Sequence, residues 1–141
     1  MQRIAFSAHL RGEAPQPAGE PPTTDPRGTS VTVDATTRDG ADAGIGSMSY
    51  ENHVVFTSES TFTETGTITL GGDGELEVDT VGEGTLRPSG EPDLLHGAVI
   101  WRVTGGHGRF ARAHGLIASN FLLQPASGDV QEWQVGVVFV P

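Results

Sequence analysis

The chain has 141 residues, no cysteine, and 18 acidic against 8 basic side chains, for a formal charge of −10. That length suffices for one domain with a core of its own, and the absence of cysteine excludes disulfides, thiolate metal sites and a cysteine nucleophile. The negative charge repels phosphate backbones and anionic bilayers, and with no lysine there is no side-chain Schiff base.

From the amino terminus, QRIAFSAHL alternates, with Ile4, Phe6, Ala8 and Leu10 on one face, and predicts a strand with one buried side. Residues 12–30 hold most of the prolines with Gly, Ser and Thr, show no periodicity, and read as a long Pro/Gly-rich loop. Weaker strand signals follow in SVTVDATT and GIGSMSY. The run NHVVFTSESTF reads as one strand whose even-numbered face carries Phe56, Ser58, Ser60 and Phe62, with Tyr50 and Asn52 near its start.

TGTITL and ELEVDTV flank GGDG and form the clearest hairpin. Ile68, Leu70, Leu76 and Val78 share a face if the loop has an odd number of residues. AVIWRVT, GLIASNFLL and VQEWQVGVVFV complete the series. These last strands carry apolar groups on both faces, which predicts a second covering surface, most simply another subunit. No window has the apolar stripe of a helix, and no segment has the length of a membrane span. The expected architecture is therefore all-β, a single domain over residues 1–141 whose eight or nine strands close into a barrel, with a two-sheet sandwich as the alternative. Without a leader or a span, the chain is expected to be cytoplasmic.

The segment GGHGRFARAHG contains GxGxxA at Gly106, Gly108 and Ala111, directly after a strand. A dinucleotide site also needs a helix to follow, and here only three residues separate Ala111 from Gly115 and a further strand. A β-connection is the better reading: glycines where the chain reverses, Phe110 tucked in to close a barrel end, and close backbone approach at Gly115.

Written as GGxGxFxxAxG, through Gly105, Gly106, Gly108, Phe110, Ala113 and Gly115, this segment resembles the glycine-rich motif of dirigent proteins and the allene oxide cyclase barrel family. The likeness takes in the strands on either side and, more loosely, the final strand. It covers the last third to half of the chain, and is nearer to bacterial members of the cyclase-like group than to a plant enzyme. Dirigent motifs often carry Arg directly after the Phe and again before the last Gly; here Ala111 and His114 stand there. The resemblance implies an eight-stranded antiparallel barrel, commonly trimeric, with an apolar cavity for small hydrophobic molecules. It carries over no catalytic residue.

No GxSxG elbow, P-loop or HExxH occurs, and the five histidines are scattered, so neither a metal nor a cofactor is expected. Tyr50, Asn52, His96 and Asn120 are the polar candidates for catalysis, as hydrogen-bond donors to a developing oxyanion or, for His96, as acid or base. Phe56, Ser58, Ser60, Phe62, Trp101, Phe121 and Trp133 are expected to wall the substrate site. The expected function is a cyclase or isomerase shaping ring closure of a small hydrophobic precursor. The alternatives are a non-catalytic carrier of apolar molecules and an assembly protein with a packed interior. A homo-oligomer, trimer or dimer, is expected; nucleic acid and membrane are not expected as partners.

Overall fold

The computed structural model describes residues 1–14 and 27–141. Most of the expected 12–30 loop lies outside the described residues; at its margins the first strand runs on to Glu13 and the second opens at Arg27. Alternating sequence produces strands throughout: β1 (Gln2–Glu13), β2 (Arg27–Thr37), β3 (Met48–Phe56), β4 (Thr61–Leu70), β5 (Gly74–Thr80), β6 (Gly84–Pro88), β7 (Leu95–Gly108), β8 (His114–Gln124) and β9 (Asp129–Val140). No helix is long and apolar enough to cross a membrane among the described residues.

The nine strands occupy eight positions of a closed antiparallel barrel. β5 and β6 each pair with β4 on one side and β7 on the other, so they are two halves of one staved position interrupted at residues 81–83. Closure comes from β3 pairing with β4 and β1 with β9, while β2 and β3 meet over three residue pairs only, Arg27–Thr29 against Ser49–Glu51. The eight-stranded barrel expected from the sequence is the fold observed.

The hairpin at GGDG pairs Leu70 with Gly74 across three residues, an odd count, and Ile68, Leu70, Leu76 and Val78 all point inward and are buried. By contrast, NHVVFTSESTF is a hairpin and not one strand. β3 ends at Phe56, which pairs directly with Phe62 of β4. Ser58 sits in the turn between them, where its Oγ accepts from the Thr61 and Ser60 amides at 3.1 and 3.2 Å. The hydroxyl-rich centre that suggested a cavity floor is thus a turn, held by the side-chain to backbone bonds that Ser favours there.

One barrel end is plugged. Phe110, fully buried in the β7–β8 turn, belongs to the core together with Ala113 and with Ala43 and Ile45 of the β2–β3 loop. The Arg109 guanidinium donates to the Ala43 carbonyl at 2.8 Å and ties the two segments together. The glycines of the motif serve this plug. A Cβ on Gly106 would lie 2.4 Å from the Glu75 carbonyl oxygen, and Gly108 takes φ +62° as the chain reverses.

A second use of glycine recurs around the wall, where large inward side chains lie over a glycine directly across the ladder. Tyr50 covers Gly28, Phe62 covers Gly84, Phe121 covers Gly97 and Phe6 covers Gly136; Asn52 likewise lies over Gly66. A Cβ at any of these five glycines would come within 2.5 Å of its cross-strand neighbour. Small barrels have little interior volume, and a missing side chain opposite each bulky one lets both fit on the same tightly curved sheet.

Candidate active site

Opposite the plug, where β3 and β8 finish and β4 and β9 begin, the interior opens into a cavity of about 60 Å³. Phe56, Phe62, Leu86, Phe121, Leu123 and Val130 make its apolar wall, and Tyr50, Glu64 and Glu132 supply its polar surface. Strand parity carries both carboxyls inward. On β4, Glu64 has the parity of Phe62, Ile68 and Leu70; on β9, Glu132 has that of Val130, Val138 and Val140.

Each carboxyl is buried, and each has donors of its own. Glu132 accepts from the Ser119 hydroxyl at 2.6 Å, from the Gln134 amide at 3.0 Å and from the Tyr50 hydroxyl. Glu64 accepts from the Asn52 amide at 2.7 Å. Burial, and then the charge of Glu132, pushes the Glu64 carboxyl up to about 8, with the Asn52 bond opposing. Burial also raises Glu132, against the pull of its three donors, and burial together with the Glu132 charge lifts the Tyr50 phenol well above its ordinary value.

The residues expected from sequence are divided by the wall. Tyr50 and Asn52 lie inside and contact the carboxyls, and Phe56, Phe62 and Phe121 line the cavity. Trp101 is fully buried in the core beside Tyr50, ring centroids 6.2 Å apart, and does not reach the cavity. Ser58 and Ser60 belong to the β3–β4 turn. His96 and Asn120 do meet, at 3.3 Å, but on the outer surface, because they alternate with inward Gly97 and Ser119. Trp133 also points outward, 43% exposed, and stacks on His9 with centroids 4.9 Å apart. The polar residues on the other parity of β9, Glu132 and Gln134, face the interior in its place.

Sequence reasoning missed Glu64, Glu132, Ser119 and Gln134. Their parity was the available signal, since each continues an apolar inward set; charge and polarity made them read as a solvated face. Among the described residues no group of three or more His, Asp or Glu is arranged to hold a metal ion.

No protein-family model matches the chain, and no curated protein matches it. Among solved structures, the pterocarpan synthase dirigent protein GePTS1 is similar at 15% identity and a TM-score of 0.49, over 98% of this chain and 86% of that one. The chemistry below rests on this chain's own side chains.

Proposed function

We propose that the barrel is a cofactor-independent acid–base catalyst, an isomerase or cyclase, acting on a small and largely apolar molecule held in the end cavity. The observation that carries this reading is the pair of buried carboxyls, Glu64 and Glu132, on the surface of an otherwise apolar cavity. Two carboxyls that interact in a dry site hold one proton between them more readily than none. With three donors against one, Glu132 is the better seat for the negative charge and Glu64 for the proton.

The pair then offers an acid and a base at once, near neutral pH. Glu64 donates its proton to a substrate carbon or oxygen while Glu132 accepts one from another position; proton exchange with solvent resets the pair. The net change is a double-bond shift, or ring closure where protonation creates the electrophile. Tyr50 and Asn52 act as positioning residues, holding Glu132 and Glu64 in place, and the apolar wall supplies confinement. A carrier would use the same cavity, but burying two carboxyls costs stability that simple hydrophobic capture does not require.

A suitable probe is pent-4-en-2-one, whose conversion to the conjugated pent-3-en-2-one removes a proton from C3 and adds one at C5. The expected result is acceleration by the wild type that falls by about 10²-fold or more in Glu132→Gln and in Glu64→Gln. Equal rates in all three proteins would refute the acid–base role.

We further propose that the barrel self-associates through the outer face of β7, β8 and β9. Ile100, Ala118 and Val135 form a lateral row, with Leu116 and Val137 beside it, and all but Ala118 are large apolar side chains at least 39% exposed. A contiguous apolar surface of this kind marks an interface.

A further inference from the structure

Among the described residues, no arginine or histidine belongs to the buried interior, where two carboxyls, Glu64 and Glu132, lie. Unpartnered polar atoms occur inside as well. Asn52 Oδ1 and Gln134 Oε1, on side chains 2% and 1% exposed, have no hydrogen-bond partner, and they belong to the two amides that bind Glu64 and Glu132. Trp101 Nε1 is an unpartnered donor inside the barrel. Phe56 and Phe62 meet edge to face and Phe62 and Phe121 are tilted, each pair 6.0 Å apart, and all three rings line one cavity with the two carboxyls.

We propose that the cavity selects a small apolar molecule carrying one positive charge, a primary or secondary amine in its ammonium form. The ammonium sits against Glu132 and Glu64, and the hydrocarbon part lies among Phe56, Phe62 and Phe121. This deepens the acid–base reading and rests on it for the location of the site. A buried carboxylate without a cation is costly, and only a cationic ligand neutralises it; a neutral ligand leaves the charge unpaired, and an anionic one adds to it. Aromatic side chains favour a cation beside them through their ring quadrupoles, and the ammonium N–H groups donate to the carboxyl oxygens. An overall charge of −10 draws cations toward the mouth and repels acids.

Size narrows the class. At ~10–15 Å³ per water-sized position, a cavity of about 60 Å³ takes roughly four to six non-hydrogen atoms. Isobutylamine, isobutanol and isobutyrate form a matched series of that size.

The experiment titrates each of the three into the isotopically labelled wild-type protein at pH 7 and follows the resonances of Phe62, Phe121 and Val130 by NMR. The expected result is that isobutylamine binds about tenfold or more tightly than isobutanol, that isobutyrate does not bind, and that Glu132→Gln brings the amine to the level of the alcohol. The wild-type series stands without the variant should Glu132→Gln fail to fold. Equal affinity for amine and alcohol, or tighter binding of isobutyrate, overturns the charge preference and leaves the acid–base reading in place. If none of the three moves the cavity resonances, both the preference and the site are overturned.

Discussion

Replacing Glu64 by Gln removes one ionisable proton from the barrel and keeps an acceptor for the Asn52 amide. In the folded protein the Glu64 carboxyl is raised from 4.5 to about 8, chiefly by burial. Unfolded, it ionises near its ordinary value; folded, it keeps its proton until about pH 8. Between those limits unfolding releases a proton, so the stabilising contribution is complete below pH ~4.5 and is lost as pH rises through about 8. The slope is ~1.4 kcal/mol per pH unit, which over this window amounts to ~4–5 kcal/mol for a single group. That is a large share of the ~5–15 kcal/mol that holds a typical domain folded.

The variant lacks this slope. Glu132 is raised as well, but it contributes in both proteins and largely cancels from their difference. Urea denaturation of wild type and Glu64→Gln at pH 5, 6, 7 and 8 measures that difference directly. The variant is expected to gain on the wild type by several kcal/mol between pH 5 and 8. Parallel stability curves would refute a buried, proton-bearing Glu64.

Four further substitutions probe the parts on which the site depends. Gly97→Ala places a methyl 2.1 Å from the Phe121 ring and is expected to cost ~1–3 kcal/mol; an unchanged melting temperature would mean that the ring does not rest there. Ser119→Ala removes the 2.6 Å bond to Glu132 and is expected to cost ~1–3 kcal/mol in urea denaturation, with a larger loss at high pH, where the carboxylate is ionised. A pH-independent cost would argue against that bond. Phe110→Ala empties the plug, at an expected ~3–5 kcal/mol by chemical denaturation; less than 1 kcal/mol would show the plug to be dispensable. Val135→Glu introduces charge on the outer face and is expected to convert an oligomer to monomer in light scattering, whereas a monomeric wild type would dispose of the proposed interface.

How much of this was legible depended on whether chemistry and parity agreed. In β1, β5 and most of β7 they did: the inward set is apolar, alternation is clean, and barrel closure follows. The β4–β5 hairpin was readable down to its odd loop because Gly71 and Gly72 coincide with the reversal. The site was less legible because it breaks the rule that charge faces water. Glu64 follows Phe62 by two residues and Glu132 follows Val130 by two, yet a carboxylate in a strand ordinarily marks the solvated face. On β9 the conflict was doubled, for Trp133 supplied an apolar signal on the wrong side, and its ring is accommodated outside by stacking on His9. His96 and Asn120 failed on the same ground, since their neighbours Gly97 and Ser119 are too small to announce an inward face.

The glycines across the ladder from bulky side chains bear on ligand size. Tyr50, Phe62 and Phe121 all contribute to the cavity surface, but Gly28, Gly84 and Gly97, on which they rest, do not. Each glycine acts as a spacer behind a movable panel. A methyl added there pushes the ring inward and narrows the chamber, while a smaller side chain in place of the ring, with the glycine filled, widens it at nearly constant packed volume. Selectivity for length and girth can therefore be tuned from Gly84 and Gly97, which lie outside the cavity surface and support rings that do not bond either carboxyl, whereas Gly28 acts on Tyr50 and through it on Glu132.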